Sequence, residues 1–250
     1  MPVKTTGSKY GFETTTGLTT QQGLFEALDD PKHSIGTRMQ LADGRVFYYA
    51  KAGAVALSKG YLNMMALAIA GHELCDVAVA VDAFDAQITL TPATAPVTVN
   101  QYAEGYVSTR SVSAMGQMRK IRSHPAAAIA ANVEVTTYDP FTEAITTGGF
   151  ADLVKNPYDE VIESATEENL AVGVPLVDVA ADYYFWNQTY GPANILSDDV
   201  INPGATVIPG TVAGSVAENA AALVTVSAVG IGMLLSVDAT HAPVFLMLAP

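Results

Sequence analysis

The chain has 250 residues, half of them hydrophobic and 15% charged, with 12 Lys and Arg against 25 Asp and Glu for a net charge of −13. A chain this apolar and this sparsely charged is not disordered over most of its length. Its length suits one large domain or two small ones. A folded surface of roughly 10,500 Å², against about 38,000 Å² unfolded, leaves room for a sizeable core. The single cysteine, Cys75, excludes a disulfide framework within the chain.

The charge is uneven along the sequence. Residues 1–125 carry 11 basic and 10 acidic side chains, whereas residues 126–250 carry one basic residue, Lys155, and 15 acidic ones. Phosphates are neutralised by Lys and Arg, so no nucleic-acid partner is expected for the second half. No membrane partner is expected either. Met1 to Tyr10 contain no apolar stretch of the secretory type. The longest apolar run, Leu223 to Leu235, is interrupted by Thr225 and Ser227 and is too short to span a bilayer.

Residues 1–36 read as an extended arm. Thr14, Thr15, Thr16, Gly17, Thr19 and Thr20 offer no periodic apolar face. One short helix is predicted over Gln21 to Leu28, where Leu24, Phe25 and Leu28 fall at helical spacing, with Asp29-Asp30-Pro31 as its stop. Residues 37–250 form a β-rich body. Thr37–Leu41 and Arg45–Lys51 flank the turn Ala42-Asp43-Gly44 and read as a hairpin, because Asp-Gly tolerates positive φ. Gly53–Leu57 follows as a short strand, and Tyr61–Ala70 fits either a buried helix or a strand.

Strand-like segments then recur through Asp76–Val81, Gln87–Thr91, Val97–Asn100, Tyr106–Ser113, Met118–Arg122 and Asn132–Tyr138. The second half adds Val172–Val179, Asp182–Thr189, Ala205–Ile208, Leu223–Ser227, Gly230–Ser236 and Pro243–Leu248. Pro and Gly punctuate at intervals of about ten residues, which signals an all-β sandwich or barrel and not βαβ units. The predicted fold is therefore mainly β: many short antiparallel strands and at most one or two short helices. Two subdomains could meet near Asn156-Pro157.

Motifs with chemistry are sparse. There is no phosphate-cradling G-x-x-x-x-G-K-[ST] and no G-x-S-x-G nucleophile elbow. Gly230-Ile231-Gly232 reads as a strand packed against another backbone. His72 and Cys75 supply two metal-type ligands where zinc needs three or four, so no metal site, cofactor or catalytic group is assigned. The carboxylate pairs Asp29/Asp30, Asp82/Asp85, Glu167/Glu168 and Asp198/Asp199 are close in sequence, which does not by itself set two carboxylates across a cleft; turn chemistry accounts for Asp82/Asp85 and Asp198/Asp199.

Two clusters are candidate contact residues. Arg119, Lys120 and Arg122 form the basic one and suit either an acidic partner surface or a solvated strand face. Tyr183, Tyr184, Phe185 and Trp186 form the aromatic one. On a strand Tyr183 and Phe185 face one way and Tyr184 and Trp186 the other, which implies burial on both sides. Carbohydrate stacking is the rival reading of that run.

Several segments resemble, in this order, a family of virion structural proteins of tailed bacteriophages. They are Gly44–Gly53 (GRVFYYAKAG), Gln101–Val107 (QYAEGYV), Lys120–Ala126 (KIRSHPA), Asn156-Pro157-Tyr158, Tyr183–Ala193 (YYFWNQTYGPA) and Ala242–Leu248 (APVFLML). The resemblance spans roughly Gly36 to Pro250. It implies a capsid decoration, or cement, protein, made in the host cytoplasm and bound as a homotrimer to the major capsid protein on the outside of the head. It brings no catalytic residues, and no enzyme is expected. The Gly/Thr-rich arm and the acidic Asp159–Glu168 segment depart from the family pattern. The charge asymmetry adds the expectation that residues 1–125 dock and the acidic half faces solvent. Two alternatives stand beside this reading: another virion subunit, such as a major capsid or tail-tube protein, and a carbohydrate-binding or adhesion module using Tyr183–Trp186.

Overall fold

The computed structural model describes residues 22–110, 114–164, 170–219 and 227–250. Among these the protein is all β, with sixteen strands and no helix. The chain divides into two compact units. One comprises residues 1–66 and 157–250; the other, residues 67–156, interrupts it in sequence.

The first unit opens with β1 (Arg38–Gln40), β2 (Val46–Lys51) and β3 (Asn63–Met64). β1 and β2 form the predicted hairpin, with Met39 opposite Phe47. At its turn Gly44 takes φ +89°, and the Asp43 carboxylate accepts the Arg45 backbone N–H at 3.0 Å. The second unit holds β4 (Cys75–Val77), β5 (Gln87–Thr91), β6 (Tyr106–Thr109), β7 (Met118–Ser123), β8 (Val133–Thr137) and β9 (Phe150–Val154). They close into an antiparallel barrel in the order β4-β5-β8-β7-β6-β9. Val133 and Val135 point inward while Glu134 is exposed, and the inward set packs with Ile88, Leu90, Val107 and Ile121.

Back in the first unit run β10 (Ile162–Glu163), β11 (Ala171–Pro175), β12 (Tyr184–Ser197), β13 (Thr206–Pro209), β14 (Val216–Glu218), β15 (Gly230–Gly232) and β16 (Thr240–Met247). β12 is the spine. Its first half pairs with β2, from Tyr184 opposite Lys51 to Tyr190 opposite Val46. Its second half pairs with β16, from Tyr190 opposite Met247 to Ser197 opposite Thr240. The path β12-β14-β13-β15-β16 returns to β12 and so closes a second ring, filled by Val207, Val216, Ile195, Val244 and Leu246.

Several expectations change at the level of elements. Residues 22–28 are not helical: Leu28 exchanges both backbone hydrogen bonds with Tyr184, and Gln22 and Leu24 are buried. Docking on a strand edge outweighs three apolar residues at helical spacing, because so short a helix is marginal by itself. Tyr61–Ala70 supplies only the two-residue β3, with Asn63 and Met64 both buried. Gly53–Leu57 and Val97–Asn100 contribute isolated bridges, Leu57 to Val179 and Val97 to Ala127. β12 runs past the predicted Thr189 end. Pro192 pairs with Phe245 of β16, and on the other edge of β12 it falls between the β11 contact at Gln188 and the β14 contact at Ser197, so its missing N–H interrupts no pairing there. The expected strand Leu223–Ser227 falls, up to residue 226, outside the described residues, as does Glu167/Glu168.

Candidate functional site

The aromatic run divides as the pleat requires. Phe185 packs with Ala50, Val161, Val172 and Val179, with Tyr183 beside it. Trp186 packs with Leu24, Met39, Leu41, Phe47 and Tyr49, with Tyr184 beside it. The Trp186 ring lies edge-on to Tyr49 at 5.0 Å and 5.1 Å from His33. Its indole N–H donates to the Gln22 carbonyl at 3.3 Å. Gln22 also accepts the Tyr49 hydroxyl at 2.5 Å and donates to the Tyr184 carbonyl at 2.8 Å. Phe185 and Trp186 are thus 0% and 1% exposed. As direct contacts with a capsid or another subunit these two are corrected: their surface is spent inside the chain, and Trp186 presents no face for a sugar. Tyr183 and Tyr184 remain half-buried.

The basic cluster does not act as one patch. Arg119 donates to the Pro140 carbonyl at 2.7 Å, and its guanidinium carbon sits 5.8 Å from the centre of the Phe141 ring. Lys120 pairs with Glu104 at 2.5 Å and lies over Tyr138, whose hydroxyl donates to the other Glu104 oxygen at 2.5 Å. Burial raises the Glu104 carboxyl, but the hydrogen bonds from Lys120 and Tyr138 outweigh it and hold the group below the usual carboxylate range. Arg122 is exposed. Two of the three cations therefore fasten the barrel wall.

Inside the barrel lies a polar cluster that the sequence did not announce. The Tyr102 hydroxyl bonds His72 Nδ1 at 2.5 Å, and the Tyr102 backbone N–H donates to His124 Nε2 at 3.0 Å. His72 Nε2 faces the Ala95 carbonyl at 3.1 Å, and His124 Nδ1 faces the Pro125 carbonyl at 2.9 Å. Carbonyls only accept, so those nitrogens carry the protons. Burial lowers the His124 pKa. Cys75 sits alongside with its thiol on the His72 carbonyl at 3.3 Å, and burial, then the nearby Asp152, Glu73 and Asp76, push it up to about 12. Such a thiol is not a nucleophile at neutral pH. Both ring nitrogens of His72 are engaged, and among the described residues no three His, Cys, Asp or Glu side chains converge as metal ligands.

The exposed apolar residues were the other feature missed. β15 ends at Gly232, short of the expected Ser236; Ile231 on its outer face and Met233, Leu234, Leu235 and Val237 beyond it are all exposed. A period-two strand cannot bury consecutive Met-Leu-Leu on one face, and that is the signal in the sequence. Gly232 itself is close-packed as expected: a Cβ there would meet Ile201 Cγ2 at 2.6 Å and the Asn202 carbonyl at 2.7 Å. A depression of about 330 Å³ in the first unit is lined by Lys59, Gly60, Pro175, Leu176, Asn194 and His241. No family model, no curated protein and no solved structure matches the chain.

Proposed function

We propose that the protein is an assembly component of a tailed-phage virion, a decoration protein that binds the major capsid protein on the outside of the head as a homotrimer. The observation that carries the assembly role is the hairpin tip Ile231–Val237. Five large apolar side chains there, between 41% and 64% exposed, form the kind of surface that marks protein contact. The phage assignment and the trimer rest on the ordered segments that resemble virion proteins. Against the expectation that residues 1–125 form the docking half, those residues contribute to both units. Counted by unit, the interrupted unit has seven basic and sixteen acidic residues, net −9, and the barrel five and nine, net −4. Docking is therefore assigned to surfaces and not to a half of the chain.

The test is the mass of the purified protein, alone and mixed with undecorated capsids. A trimer that sediments with capsids supports the reading; a monomer that stays in the supernatant overturns it. The arm is tested by removing residues 1–21 only, because Gln22 and Leu24 belong to the Trp186 core. Loss of capsid binding in that truncation is the expected result.

A further inference from the structure

The barrel has two unlike poles. The chain enters β4 and leaves β9 at one pole, as the antiparallel pairing of Cys75 with Ala151 and Tyr106 with Val154 requires. The opposite pole carries the β4–β5 and β8–β9 loops and residues 114–117 ahead of β7. Val79, Phe84, Met115, Met118 and Phe150 are exposed around it, between 37% and 75%. Phe84, the most exposed, holds φ +73°, a conformation that is costly for a bulky residue. It is kept there by its N–H on the Phe141 carbonyl at 2.6 Å, while the Phe141 N–H returns to the Asp85 carbonyl at 2.8 Å.

The loops at this pole are tied to one another. Gln117, itself buried, accepts the Thr142 N–H at 2.7 Å and donates to the Glu143 carbonyl at 3.2 Å. Arg119 adds its bond to Pro140. A ring this exposed, on a backbone this constrained, is presented and not incidental: its side chain gains little burial from the fold to offset the strain. Four exposed carboxylates border it, Asp82 and Asp85 on one loop and Asp139 and Glu143 on another. None pairs with a cation among the described residues. Arg110 at the same pole is taken by Asp152 at 3.5 Å.

We infer that this pole is a docking surface on which Phe84 is the anchor, and that its partner is a protein surface with an apolar pocket bordered by Lys or Arg. A second copy of the same pole is disfavoured, because it would set four unpaired carboxylates against four more. A buried aromatic anchor with a complementary charged rim is the usual source of affinity in such contacts. The inference deepens the assembly reading by naming the surface that meets the shell.

Two probes separate the surface from the shell. The full-length protein is titrated with a short peptide alternating Leu and Lys, and with its Leu/Glu counterpart, while NMR follows the pole and the 231–237 tip. The expected result is that the Leu/Lys peptide moves the signals of Val79, Phe84 and Met118, and that Phe84→Gly weakens it about tenfold. Glycine suits φ +73°, so this variant keeps the fold. Equal binding by Phe84→Gly, equal binding of the Leu/Glu peptide, or movement confined to 231–237 overturns the inference. Sedimentation with undecorated capsids is the second arm. Wild-type binding lost in Phe84→Gly supports both surface and shell. Wild-type binding retained in Phe84→Gly overturns the surface and leaves the shell reading standing. A positive titration without capsid binding overturns the shell reading and supports the surface.

Discussion

Tyr102 is hydrogen-bonded to two histidines whose opposite ring nitrogens donate to carbonyls, and its backbone N–H needs an unprotonated His124 Nε2, so the barrel interior favours neutral imidazole at His124. Burial lowers its folded pKa below the unfolded value near 6.5. The unfolded chain then binds more protons as pH falls through 6.5, so the contribution is complete above that pH and shrinks below it. The slope is at most about 1.4 kcal/mol per pH unit for one group. Barrel stability, followed by Cys75 labelling between pH 7.5 and 5.5, should fall toward acid, and His124→Gln should flatten that slope. Phe84 gives the complementary prediction. Its positive φ costs about 1 kcal/mol, and Phe84→Gly should raise barrel stability toward that amount even as docking is lost. The two effects have opposite signs, which separates presentation from packing.

At the scale of elements, β12 does most of the organising. It changes partner from β2 to β16 near Tyr190, with a register shift between Gln188 and Tyr190. Polar side chains follow that shift into the interior. Gln188 donates to the Tyr190 and Pro192 carbonyls at 3.2 and 2.8 Å, and Thr189 donates to the Ala249 carbonyl at 2.6 Å. They satisfy carbonyls that an unbroken ladder would have paired. β11 approaches this segment through Gly173, at φ +143° and beside a bulge in its pairing with β3. A Cβ there would meet the Gln188 carbonyl at 2.6 Å and Asn187 Nδ2 at 2.7 Å. Gly173→Ala should therefore cost about 2–3 kcal/mol, from backbone strain plus overpacking. A denaturant titration read by Trp186 fluorescence measures it, and Cys75 labelling should stay unchanged.

The whole molecule carries its own reporters. The only Trp belongs to the interrupted unit and the only Cys to the barrel. Each unit has a separate apolar core. Unfolding followed by Trp186 fluorescence and by Cys75 labelling should give two distinct midpoints; coincident midpoints would mean that the chain unfolds as one cooperative body.

The sequence alone was enough for the class of the fold, and for local reasons. Alternation of apolar and polar residues is written in neighbours, since successive Cβ atoms point to opposite faces; the strands expected over Asn132–Tyr138 and Gln87–Thr91 are found as Val133–Thr137 and Gln87–Thr91 because nothing distant is needed to see them. The Asp43-Gly44 turn and the two-faced burial of Tyr183–Trp186 follow from the same local geometry. Partner choice is not local. β12 meets β2 across more than a hundred residues, and the barrel lies inside the sequence of the other unit. Only that pairing decides that Gln22 belongs to a core, that β12 runs on through Pro192, and that Phe84 and Leu234 stay in solvent. It also dissolves the charge halves, since acidic and basic stretches of chain are redistributed between the two units when strands remote in sequence pair.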